Sequence, residues 1–84
     1  MSHTEASVEA RILQILAEVS SAPRDQITAD ADFASLRLDS VGTMELVGML
    51  CDEFTIDVEL EEVFAVNTVR EAVAMTLRHL DARA

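Results

Sequence analysis

Residues 39–54, DSVGTMELVGMLCDEF, open on two small polar side chains and continue with apolar residues at helical spacing. Thr43, Met44, Val47, Leu50, Cys51 and Phe54 fall within roughly one third of a helical wheel, the width of a face turned toward a core. Val41, Glu45, Met49 and Asp52 fall on the opposite side. The spacing predicts a helix that starts at Asp39-Ser40 and runs to about Phe54.

Upstream, from Ser21 to Asp39, no period is sustained, although Ile27, Phe33, Leu36 and Leu38 are apolar. This reads as a long loop pinned to a core. Unstructured connections of that length are uncommon in compact domains and tend to be functional, which directs attention to the Asp39-Ser40 that the loop delivers. Further back, Val8, Ile12, Ile15, Leu16 and Val19 mark an amphipathic helix from about Thr4 to Ser20, with Ser2 and Glu5 as a capping box and Ser20, Ser21 and Pro23 as the stop. Downstream, Leu60, Val63 and Phe64 predict a brief third helix. Val69, Ala72, Val73, Thr76, Leu77 and Leu80 predict a fourth, behind a Thr68–Glu71 capping box.

Composition agrees with an all-α fold. Half of the 84 residues are hydrophobic but only 4% are aromatic, and two Gly with one Pro supply too few turns for a small all-β domain. The length suits one domain over residues 1–84 and leaves no room for a second core. A single cysteine, Cys51, excludes an internal disulfide, and no charged-then-apolar leader opens the chain, so a cytoplasmic protein is expected. A formal net charge of -10 and the lack of a long apolar run argue against nucleic acid and membrane as partners. Neither His3 and His79 nor the carboxylates show the spacing of a metal site, and Cys51 on the apolar face reads as a small core residue.

The run Phe33-Ala34-Ser35-Leu36-Arg37-Leu38-Asp39-Ser40-Val41, followed by Met44-Glu45-Leu46-Val47 and Glu53-Phe54-Thr55-Ile56, resembles the signature of the acyl carrier protein family. The flanks, Pro23, Ile27, Asp30 to Phe33, Thr68-Val69 and Ala72-Val73, resemble that family too, so the likeness spans nearly the whole chain. The resemblance implies a four-helix bundle with a long first loop and a short third helix. It implies a free-standing, monomeric carrier that is not an enzyme and holds acyl intermediates as thioesters on a 4'-phosphopantetheine arm. The arm would be attached at Ser40 by a phosphopantetheinyl transferase that uses coenzyme A, with Asp39 in support. Further partners would be acyl-loading enzymes, ketosynthases or other biosynthetic enzymes with basic docking patches. The Leu-Asp-Ser form of the motif points to polyketide or related specialised biosynthesis ahead of fatty acid synthesis. A peptidyl carrier loaded with an amino acid is one alternative, and an acidic helical adaptor without a prosthetic group is another.

The residues themselves offer a physical reason for that site. Alone, Asp-Ser is an ordinary helix cap. A serine at a helix start is nevertheless exposed where unpaired N–H groups and the positive end of the helix dipole favour an anion. Between Asp39 and Glu62 the chain holds eight carboxylates and no basic residue, a pattern that steers basic partners. Val41, Met44, Glu45, Met49 and Asp52 are the expected docking residues, with Met44 shared between docking and core. Three positions depart from the family pattern: Arg37 replaces the usual glycine, Val41 the usual leucine, and Ile56-Asp57-Val58-Glu59 lacks the frequent proline. Gly48, inside a helix, costs about 1 kcal/mol relative to alanine.

Overall fold

The computed structural model describes residues 4–83, and among these it contains four α-helices and no β-strand. Helix α1 spans Glu5–Val19, α2 Ser40–Phe54, α3 Leu60–Ala65 and α4 Val69–Arg83, with a short 3-10 turn at Arg24–Gln26 in the first loop. The expected Ser2–Glu5 box involves Ser2, which lies outside the described residues. The observed cap on α1 is made two residues further on, where Thr4 Oγ1 accepts from Ser7 N and Ser7 Oγ accepts from Thr4 N, both at 3.1 Å.

Helices α1, α2 and α4 pack against one another around a core of aliphatic side chains. Val8, Ile12, Ile15 and Leu16 of α1 meet Leu46, Val47, Leu50 and Phe54 of α2 and Val69, Ala72, Val73 and Met75 of α4. Three positions differ from the sequence reading. Leu46 is fully buried, whereas Met44 is 48% exposed, so the buried arc of α2 is turned toward Leu46 by its neighbours. Met75 is also fully buried, because α4 touches both α1 and α2 and buries an arc wider than one stripe. Thr76 lies in this core without an unmet hydrogen bond, its hydroxyl donating to the Ala72 carbonyl at 2.9 Å.

The first loop is pinned, as its apolar residues imply. Phe33 and Leu36 are buried. The Ser20 hydroxyl donates to the Leu36 carbonyl (2.7 Å), Phe33 N to the Asn67 carbonyl (2.8 Å) and Val69 N to the Ala31 carbonyl (3.1 Å). An exposed Asp30–Arg70 pair closes the same junction. At its end the loop makes one helical turn, closed by Arg37 N donating to the Ala34 carbonyl and Leu38 N to the Phe33 carbonyl. This is a Schellman closure, and it needs a left-handed residue at Arg37, where φ is 61°. The family's usual glycine at this position thereby has its reason.

Helix α4 carries the expected Thr68 cap, with Thr68 Oγ1 accepting from Glu71 N at 3.1 Å. The reciprocal bond differs: Glu71 Oε1 accepts from Asn67 N at 3.0 Å, one residue before the cap, and an isolated bridge pairs Thr68 with Asp32. No helix among the described residues is long and apolar enough to cross a membrane.

Candidate functional site at the start of α2

Asp39 is the N-cap of α2, and its Oδ1 accepts from Gly42 N at 2.8 Å. Ser40 is therefore the first helical residue, exposed, with a hydroxyl that makes no hydrogen bond among the described residues. Gly42 gives the Leu38 side chain its room: a Cβ there would come within 2.8 Å of Leu38 Cδ2, so the leucine would have to shift. Sequence reasoning passed over Gly42, although a glycine in the first turn, two residues after the serine, was a visible signal.

Beside Ser40 opens a cleft of about 500 Å³. One wall is the first loop, with Phe33 and Leu38; the other is α3 and the residues after it, with Val63, Phe64 and Asn67. Phe64 is 56% exposed, and with Leu60 one turn earlier it forms an apolar face that the core does not use. The sequence placed this helix but assigned it no part in the site; an i, i+4 pair of large apolar residues on so short a helix was the available clue. At the loop wall the carboxyl of Asp32 is held below its ordinary range, first by the backbone N–H of Ser35, which donates to Oδ1 at 2.7 Å, and then by the Ser35 side chain.

The expected docking residues divide into two sets. Val41, Met44, Glu45 and Asp52 are exposed along α2, and Gly48 on the same side has no atom within 4 Å of an added Cβ. Met49 is half-buried, packs against the core and lies beside Arg11 and Ile15, on the flank of α2 that faces α1. Its place at the edge of the buried arc separates it from the exposed face. Cys51 is half-buried against the core.

The acidic run is sorted in the same way. Glu53 pairs with Arg11 at 3.1 Å across to α1. Glu62 accepts from His79 Nε2 at 3.0 Å, with Arg78 at 3.9 Å, and its carboxyl is held below the usual range chiefly by that histidine. Glu45, Asp52, Asp57, Glu59 and Glu61 form no ion pair among the described residues. These unpaired carboxylates leave α2 and α3 with a net negative charge.

An exposed, unengaged serine hydroxyl at a helix N-terminus, beside an open cleft, fits the attachment of an anionic group that carries a flexible arm. The fold is similar to that of an acyl carrier protein from Thermotoga maritima known from a crystal structure, with a TM-score of 0.84 and 22% identity over 100% of both chains. Over residues 10–76 the sequence matches the family described as the phosphopantetheine attachment site. The chain thus belongs to the phosphopantetheine attachment-site family, with the fold of an acyl carrier protein, and its covalent prosthetic group is 4'-phosphopantetheine.

Proposed function

We propose that Ser40 is the residue that carries 4'-phosphopantetheine, and that the chain shuttles acyl intermediates among separate enzymes without catalysing a reaction itself. The observation that carries this reading is the position of Ser40 as the first residue of α2, exposed and unengaged beside the cleft. In the transfer, Ser40 Oγ forms a bond to the phosphorus of coenzyme A that bears the pantetheine, its proton passes to the transferase, and adenosine 3',5'-bisphosphate leaves. When bound, the group supplies a terminal thiol that forms thioesters with acyl cargo. Asp39 shapes the helix start through its cap and so holds Ser40 outward.

The exposed acids and Val41 along α2 support docking with that end toward a partner's active site. Charge governs encounter and the apolar contact governs residence. The Leu38-Asp39-Ser40 form supports polyketide or related specialised biosynthesis as the setting. The test is intact mass after incubation with coenzyme A and a broad-specificity transferase. The wild type gains one phosphopantetheine, and Ser40→Ala keeps its helicity but gains none; a gain that survives in Ser40→Ala, or that fragmentation maps to Ser35, overturns the assignment.

A further inference from the structure

Arg37 occupies a left-handed closure three residues before Ser40, where a side chain is strained and glycine is the common solution. Its charge is left unpaired among the described residues. Arg11, Arg70 and Arg78 each approach a carboxylate, whereas Arg37 is exposed and forms no ion pair among the described residues. It is also the last basic residue before Arg70, so neither α2 nor α3 offers another positive side chain.

Attachment of the arm places a phosphodiester anion on Ser40, immediately after the Asp39 carboxylate, in a chain of formal net charge -10. Adjacent like charges repel, and the cap bond to Gly42 N engages Asp39 Oδ1 without neutralising the carboxylate. The α2 dipole offsets part of the repulsion. A guanidinium offers more, because its paired N–H groups match phosphate oxygens. Three residues of even fully extended chain span only about 10 Å, so the long Arg37 side chain has the reach to meet a group on Ser40.

We propose that Arg37 is the counter-charge of the phosphodiester on Ser40, a positioning residue that holds the root of the arm toward the end of the first loop. This rests on Ser40 as the attachment site. Apo and holo forms of the wild type, Arg37→Lys, Arg37→Gln and Arg37→Gly separate charge from backbone: glutamine keeps the strain without the charge, lysine keeps both, and glycine removes both. The readouts are the holo-minus-apo shift in melting temperature at low and moderate salt, and the ³¹P resonance of the phosphodiester. The shift should be more positive in the wild type and in Arg37→Lys than in Arg37→Gln and Arg37→Gly, by about 3 °C at low salt, and the gap should close as salt rises. The ³¹P resonance should move in the glutamine and glycine variants and be restored in large part by lysine. Equal holo-minus-apo shifts and an unchanged ³¹P resonance in all four proteins overturn the role of Arg37 while leaving Ser40 in place. Failure of the wild type to gain mass, or a gain mapped elsewhere, overturns the attachment reading and this proposal with it.

Discussion

The two walls of the cleft beside Ser40 are held by different means. The first loop has little regular structure, yet it buries Phe33 and Leu36 and is bonded to the end of α1 and the start of α4. Helix α3 has regular structure, yet Val63 is its only buried residue, and the Glu62–His79 contact is its tie to α4. Regularity and anchoring are therefore separate properties, and local stability follows buried contacts more than secondary structure. Ser40 stands at the end of the firm wall, and the wall opposite is the one able to yield.

The largest expected difference comes from truncating each wall at its anchor. Leu36→Ala should cost about 3 kcal/mol and lower the melting temperature on the order of 15 °C, since a fully buried side chain leaves a cavity. Val63→Ala removes less buried surface and should cost about 1.5 kcal/mol. Thermal unfolding of both variants checks this, and equal losses would erase the distinction between the walls.

The left-handed residues at either end of α2 come next. Thr55 caps the C-terminus at φ 53°, a poor conformation for a β-branched side chain. Thr55→Gly should raise stability by about 0.5–1 kcal/mol, the relief of strain less the extra freedom of an unfolded glycine. Denaturant midpoints measure it. A destabilised Thr55→Gly would mean that side-chain contacts outweigh the backbone at this end.

These positions also mark how far the sequence could be read. The helices were legible because their stripes follow the 3.6-residue period, and the loop because Phe33, Leu36 and Leu38 had no other reason to be apolar. A period does not say which edge of a stripe meets a neighbour, so Leu46 and Met44 exchanged roles, Met75 went unnoticed, and Met49 fell on the α1 side. The helix start at Asp39-Ser40 was legible, and Asp39 caps α2 there, whereas the role proposed for Ser40 came from the resemblance and not from the dipeptide. The second wall was not legible, since the exposure of Phe64 depends on how α3 lies against α2. The substitution at Arg37 was visible too, but its left-handed backbone is a property of the folded turn.

The tie on the yielding wall should respond to acid. Glu62 accepts from His79, with Arg78 nearby and Glu59 N donating from its own helix at 3.4 Å, and its folded carboxyl lies below the ordinary 4.5. A depressed carboxyl stabilises the fold above its unfolded pKa, and that contribution fades as pH falls from about 4.5 through the folded value. For a half-exposed pair the effect should stay below about 1 kcal/mol. Hydrogen exchange of α3 amides should lose protection over that acid range in the wild type, while Glu62→Gln starts less protected and changes little. Identical acid profiles would show that Val63 alone holds α3.

The smallest effect on stability, and the sharpest separation of structure from function, should come from Phe64→Ala. With 56% of the residue exposed, little buried contact is lost, and the change in unfolding free energy should stay within about 0.5 kcal/mol. Phe64 nevertheless lines the cleft with Phe33 and Ser40. If an arm on Ser40 spends time between the walls, its attachment should shift backbone resonances of Phe33, Leu38, Phe64 and Asn67 more than those of α1. In Phe64→Ala the shifts on the α3 side should shrink while those on the loop side persist, because the loop is held by the burial of Phe33 and Leu36, which this substitution leaves in place. Shifts that vanish from both walls together would mean that the aromatic ring, and not the loop, keeps the arm in the cleft.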